Sequence, residues 1–162
     1  MIKRPLLCIA LCIGTPLSVA ASGTVNFADL AVLRDAKPGL WQHSFTTIPT
    51  NPVAPARTEK ACVSQVTLTA MLDQLKSPGG GRSCDVEMKS NFANKAEGVM
   101  HCPGIDIPQA GVHAPGADMP IVFEKIGTEE HWVVTVRVPA VPGNTPAAIW
   151  RHEYRRLGQC PG

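Results

Sequence analysis

Four cysteines, Cys62, Cys84, Cys102 and Cys160, are the side chains of this sequence with the most sharply defined chemistry. As thiolates they could hold a soft metal ion; as pairs they would close two disulfides. Zinc sites usually bring their ligands in close pairs. No Cys-x-x-Cys occurs here, the spacings are wide and irregular, and His101-Cys102 is a lone neighbour pair. The sequence therefore points to disulfides and to no metal.

The remaining titratable residues form no familiar constellation. His43, His101, His113, His131 and His152 build no short ligand motif. His43 and His152 can approach across a sheet, although a strand histidine is ordinarily a packed or surface residue. Glu129-Glu130-His131 reads as a solvated hairpin tip. Asp106 and Asp118 bracket a loop with no nucleophile fixed nearby. Arg151, Arg155 and Arg156 cluster near the C-terminus, Arg151 and Arg155 sharing a strand face and Arg156 facing away. A solvated face paired with Glu153 or Glu124 accounts for them. The sequence has no Gly-x-Ser-x-Gly elbow, His-Glu-x-x-His motif, Walker loop or dinucleotide fingerprint. No catalytic residue and no cofactor is expected. An unfamiliar hydrolase site would need His101, His113 or His131 beside an Asp or Ser.

The start of the chain sets the compartment. Lys3 and Arg4 precede an almost wholly apolar run from Leu6 to Gly14, and small residues follow at Ser18 to Ser22. This is the order of a secretory signal peptide, with cleavage after Ala20 or Ala21. The expected organisation is a signal over 1–21 and a single secreted β-rich domain over 22–162. The apolar run is too short for a transmembrane anchor, which needs roughly 20 residues. Cys8 and Cys12 would leave with the signal, and the leucines before them do not suit lipoprotein processing. The destination is the periplasm or beyond. The whole chain carries fifteen Lys and Arg against thirteen Asp and Glu, and removing Lys3 and Arg4 leaves thirteen of each. A neutral domain gives no argument for a nucleic-acid partner.

The elements that must position these residues follow from periodicity. Asn26 to Ala36 shows a weak helical pattern, broken by Lys37-Pro38-Gly39. From Leu40 the period is two, placing Trp41, His43, Phe45 and Thr47 on one face of a half-buried strand. A prolyl loop and a short strand over Thr58–Val63 come next. Ser64 to Lys76 is the best helix, with Leu68, Met71, Leu72 and Leu75 as its apolar stripe and Ser64 or Thr67 as its cap. Gly79 to Gly81 follow this helix and so cannot form a phosphate loop before one. Strands are expected from Cys84 and over Lys95–Cys102. Pro103–Met119 reads as a long irregular loop. Pro120–Ile126 and His131–Val138 form the clearest hairpin, Pro139–Pro146 is another loop, and Ile149–Leu157 is the last strand. The fold class is mainly β (α+β), a curved antiparallel meander or partial barrel of about seven strands with one or two helices.

Trp41, Phe45, Trp132, Trp150 and Tyr154 alternate along these strands. Core packing is their default role. If the sheet curls without closing on its helix, the same side chains would line a groove for an acyl chain or an apolar peptide.

Five landmarks occur in order: Lys37-Pro38-Gly39-Leu40-Trp41, Cys62-Val63-Ser64, Cys84, Cys102 and Arg155-Arg156-Leu157-Gly158-Gln159-Cys160-Pro161. Over Lys37 to Pro161 the chain resembles the bacterial exported domain-of-unknown-function family numbered 3617. That resemblance implies an exported protein with a Pro-Gly-Leu-Trp start and a cysteine before a helix. The family has no assigned activity, so no functional residue is carried over.

The four cysteines allow three pairings. Cys62 ends a strand before the helix and Cys84 starts the strand after it, so a local return of the chain favours Cys62–Cys84 and leaves Cys102–Cys160. A strict up-and-down meander puts Cys102 and Cys160 at opposite ends of the sheet. This pairing therefore needs strand tilt, a partial barrel or a returning tail. The functional expectation is a non-enzymatic domain that binds an amphiphile or an envelope protein. The alternatives are a structural or stress-related envelope protein without a small ligand, or a hydrolase with an unfamiliar site.

Overall fold

The computed structural model describes residues 25–49, 56–77, 83–107, 112–127, 130–141 and 146–161. The signal segment over 1–21, Gly79 to Gly81, Glu129, most of the first prolyl loop and the Leu68 side chain lie outside the described structure.

Alternating apolar residues and prolyl breaks give the strands β1 (Gly39–Ile48), β2 (Arg57–Val63), β3 (Asp85–Asn91), β4 (Lys95–Cys102), β5 (Ile105–Ile107), β6 (Val112–Ala114), β7 (Ala117–Lys125), β8 (His131–Val138) and β9 (Ala148–Gly158). Seven of them make one open antiparallel sheet in the order β2-β1-β9-β8-β7-β4-β3, while β5 and β6 pair as a separate hairpin. The expected irregular loop over Pro103–Met119 thus contains a small hairpin, and β7 starts at Ala117. Backbone pairing between short segments outweighs a Pro- and Gly-rich composition there.

The strand order also departs from a simple meander. From β3 to β9 the chain does run back and forth, with β5 and β6 as an excursion. The β1–β2 hairpin then joins through β1 against β9, nine residue pairs long from Leu40↔Gly158 to Ile48↔Ile149. The sheet opens between β2 and β3, which are sequence neighbours, and not between its first and last strands.

The helix is α1 (Gln65–Asp73), continued by a 3-10 turn over Gln74–Lys76. Ser64 caps it: its Oγ accepts the Thr67 N–H at 3.1 Å. Chain direction requires α1 to travel from the β2 edge at one end of the sheet to the β3 edge at the other. It therefore crosses the inner face. Leu72 is buried there, and Met71 and Leu75 are half-buried against the core. The expected N-terminal helix is instead two 3-10 turns, Phe27–Asp29 and Ala31–Leu33. Phe27, Leu30, Val32 and Leu33 are all buried. This tertiary burial stabilises a segment too short for its own helix.

Inner-face side chains meet these covering elements. Phe27 packs edge-on against Phe123 at 4.9 Å, and the Trp132 indole donates to the Val32 carbonyl at 2.7 Å. Trp41 and Trp132 stack at 5.2 Å. Lys76 is buried, sits 4.8 Å over the Phe27 ring and pairs with Asp73 at 3.0 Å.

The cysteine pairing is corrected by this topology. Cys62 bonds to Cys160, and Cys84 bonds to Cys102. Opposite Leu40 stand Cys62 on one flank and Gly158 on the other, so Cys62 and the tail after β9 share one end of the sheet. Asp85 faces His101, so the residues one step outward, Cys84 and Cys102, share the other end. The favoured Cys62–Cys84 and Cys102–Cys160 bonds would each have joined opposite ends. Local return of the chain was the wrong guide, because α1 carries it across the sheet between Cys62 and Cys84.

Candidate functional site

The five aromatic residues divide into two groups. Trp41, Trp132 and Tyr154 are buried at 2%, 1% and 3% exposure. Phe45 and Trp150 are only half-buried, because the N-terminal turns cover the end of the inner face near Trp132 and leave β1 and β9 bare beyond Tyr154. Between that bare region and α1 runs a groove of about 480 Å³. Phe45, Trp150 and Val136 form its sheet wall; Met71 and Leu75 form its helix wall. Arg57, at the start of β2, also lines it. A smaller cavity of about 190 Å³ adjoins it, sharing His43, Met71, Gln74 and Tyr154 and adding Glu59.

Two histidines lie in the sheet wall. His43 pairs with Tyr154 and Phe45 pairs with His152, so the two histidines are diagonal neighbours on one face. His43 Nε2 lies 3.1 Å from His152 Nδ1. The rings are within 3° of parallel with centroids 5.3 Å apart. That centroid separation is close to the nitrogen separation plus the two ring radii. The rings therefore lie side by side and almost coplanar, nitrogen facing nitrogen. Tyr154 stacks on His43 at 4.6 Å, and Phe45 leans on His152 at 4.8 Å.

Burial controls the charge of this cluster. It lowers the His43 pKa against the opposing pull of Glu59. It lowers His152 further, to about 4, with repulsion from His43 added. It raises the Tyr154 phenol, with Glu59 adding to the effect. Both imidazoles and the phenol are neutral at neutral pH, and one imidazole N–H donates to the other ring.

The other histidines stand apart from the groove. His101 Nδ1 lies 2.7 Å from Asp118 Oδ1, and its Nε2 lies 3.5 Å from Glu87 Oε2. Ser83, Asp85 and Cys102 line the same broad, exposed depression. Hydrogen bonding to Asp118, then the charges of Asp118 and Glu87, raise the His101 pKa. A His–Asp pair can serve a nucleophile only if its second nitrogen faces one. Here that nitrogen faces a carboxylate, so the arrangement is an exposed ion-pair cluster. His131 is held by Glu153 at 2.9 Å, and His113 lies in β6 opposite Asp106.

No known protein family, curated protein or solved structure matches the chain.

The C-terminal arginines also separate. Arg156 turns to the inner face, where it donates to the Pro38 carbonyl at 2.9 Å and pairs with Glu130 at 3.1 Å. Arg151 pairs with Glu153 at 3.4 Å on the outer face. Among the described residues no group of three or more His, Cys, Asp or Glu is placed to hold a metal ion, and no helix is long and apolar enough to cross a membrane. Two disulfides indicate an oxidising compartment. Sequence alternation put all five aromatics on one strand face and left core and groove open for each. It could not tell Phe45 and Trp150 from the buried three, because that depends on where the N-terminal turns stop.

Proposed function

We propose that the chain is an exported, non-enzymatic binding domain of the family it resembles, and that its groove takes the hydrocarbon part of an anionic amphiphile. The observation that carries this reading is the half-buried pair Phe45 and Trp150, facing about 480 Å³ of space between sheet and helix. That volume falls in the range of small-molecule sites, about 300–1,000 Å³. The walls are mainly apolar, and the two histidines among them are neutral at neutral pH. Arg57 supplies a positive charge in the groove wall, suited to an acyl carboxylate. The signal-like leader and the disulfides support an extracytoplasmic setting.

Quenching by bromine-substituted dodecanoate tests this. Trp150 emission should fall saturably on titration, while buried Trp41 and Trp132 respond little. The Trp150→Phe variant should lose the quenching and retain binding by calorimetry. Absence of saturable binding, or undiminished quenching in Trp150→Phe, would reject the reading.

A protein partner is the second reading. The described ends of the two long loops, at Pro103, Gly116, Pro139 and Pro146, gather with Cys84–Cys102 at one end of the sheet. Loops presented together on a rigid sheet suit a contact surface. Cross-linking in the native envelope, mapped to that end, would favour it over the groove.

A further inference from the structure

We propose that His43 and His152, with the thioether of Met71, form a binding site for monovalent copper in the groove wall. The two imidazole nitrogens already face each other at 3.1 Å in nearly coplanar rings. That disposition suits a two-coordinate bridge, with the ion replacing the shared proton along the nitrogen–nitrogen line. Metal–nitrogen bonds are about 2.0 Å, so the pair must open by roughly 1 Å. The rings border open space on the groove side, which allows that movement.

The ligand set selects the ion. Imidazole suits copper, and a thioether favours Cu(I) over harder cations. Met71 lines the groove with both histidines and the adjoining cavity with His43. Four of the chain's cysteines are closed in disulfides and offer no thiolate competitor. Glu59, Tyr154, Gln74, Arg57 and Ser77 are the other polar groups facing the two cavities.

Besides that opening, binding needs a tautomer change. In the free pair one facing nitrogen carries a hydrogen. When that ring moves its hydrogen to its other nitrogen, both facing lone pairs become available, with no net proton released. Burial helps by keeping both rings unprotonated. The site does not rest on the amphiphile reading, since copper requires the nitrogens and not an apolar ligand.

The test is anaerobic titration of the disulfide-intact protein with Cu(I) kept reduced by ascorbate, against a coloured Cu(I) chelator. A single Cu(I) per chain should be retained. His43→Phe and His152→Phe should each weaken retention by about 100-fold or more, and Met71→Leu by about 10-fold for Cu(I) while leaving Zn(II) retention unchanged. Imidazole nitrogen NMR of the unmutated protein with Ag(I), a redox-inert stand-in, guards against misfolded variants. His43 Nε2 and His152 Nδ1 should shift while the nitrogens of His101, His113 and His131 stay put. Failure to retain Cu(I), equal retention by the His→Phe variants, or shifts at His101 instead would overturn the proposal.

Discussion

Cys62 and Cys160, 98 residues apart in sequence, have Cα atoms 5.6 Å apart, because β1 pairs with the last strand as well as with β2. The bond ties the β1–β2 hairpin to the end of the meander. In the chain-entropy model a loop of about 100 residues contributes about 4.7 kcal/mol and a loop of about 15 contributes about 3. Replacing Cys62 and Cys160 together by Ser should thus destabilise the fold more than replacing Cys84 and Cys102. Urea melts of the two double variants give the order, and non-reducing peptide mapping gives the pairing. A Cys62–Cys84 peptide would refute the strand order derived above.

Trp132 joins β8 to the N-terminal turns through its indole hydrogen bond to the Val32 carbonyl. Trp132→Phe keeps most of the ring and strands that buried acceptor. The expected loss is about 1–3 kcal/mol. Trp132→Ala should lose about 3–5 kcal/mol, since a cavity is added. Denaturant unfolding measures both.

Acid should weaken the metal-free protein through its buried histidines. Burial first, then repulsion from His43, holds the His152 pKa at about 4 in the folded state, against about 6.5 unfolded. The unfolded chain therefore binds the extra proton more readily. Stability is complete above about pH 6.5 and falls by up to about 3 kcal/mol as the pH drops to about 4. His43 moves in the same direction, again chiefly through burial. His101 runs the other way: its raised pKa adds stability below its unfolded value, and that is lost as pH rises through its folded value. Urea melts across this range should show a shallower acid loss in His152→Phe and a steeper one in His101→Gln.

Gly39 opens β1 with φ +149°, a conformation that side-chain-bearing residues rarely adopt. A methyl group there would also run into the Gly158 carbonyl and the Arg156 guanidinium. Gly39→Ala should cost about 1–3 kcal/mol of strain. The damage should fall on the β1–β9 pairing, measurable as faster amide exchange at Leu40 and Trp41.

Local features of this fold were legible in the sequence, and long-range ones were not. Period-two alternation located β1, β8 and β9, and Ser64, one of two cap candidates with Thr67, marked the start of α1, because side-chain direction and capping act within a few residues. The short β5–β6 hairpin escaped notice, since its composition is that of a loop. The strand order and both disulfides depend on which strands meet across the molecule. Nothing within β1 or β9 states that they will pair. Chain proximity suggested Cys62–Cys84, whereas α1 separates those residues by the whole width of the sheet. Of the site, the alternating positions of Phe45, Trp150, His43 and His152 were readable. The groove itself was not, because it exists where the N-terminal turns end and α1 passes over.

The groove is most directly tested by methyl NMR of the protein titrated with dodecanoate. Saturable shifts are expected at Met71, Leu75 and Val136, which line the groove, with the buried core residues Val32 and Ile121 unaffected. Unchanged methyl resonances at saturating dodecanoate, or shifts centred on any other surface, would contradict it.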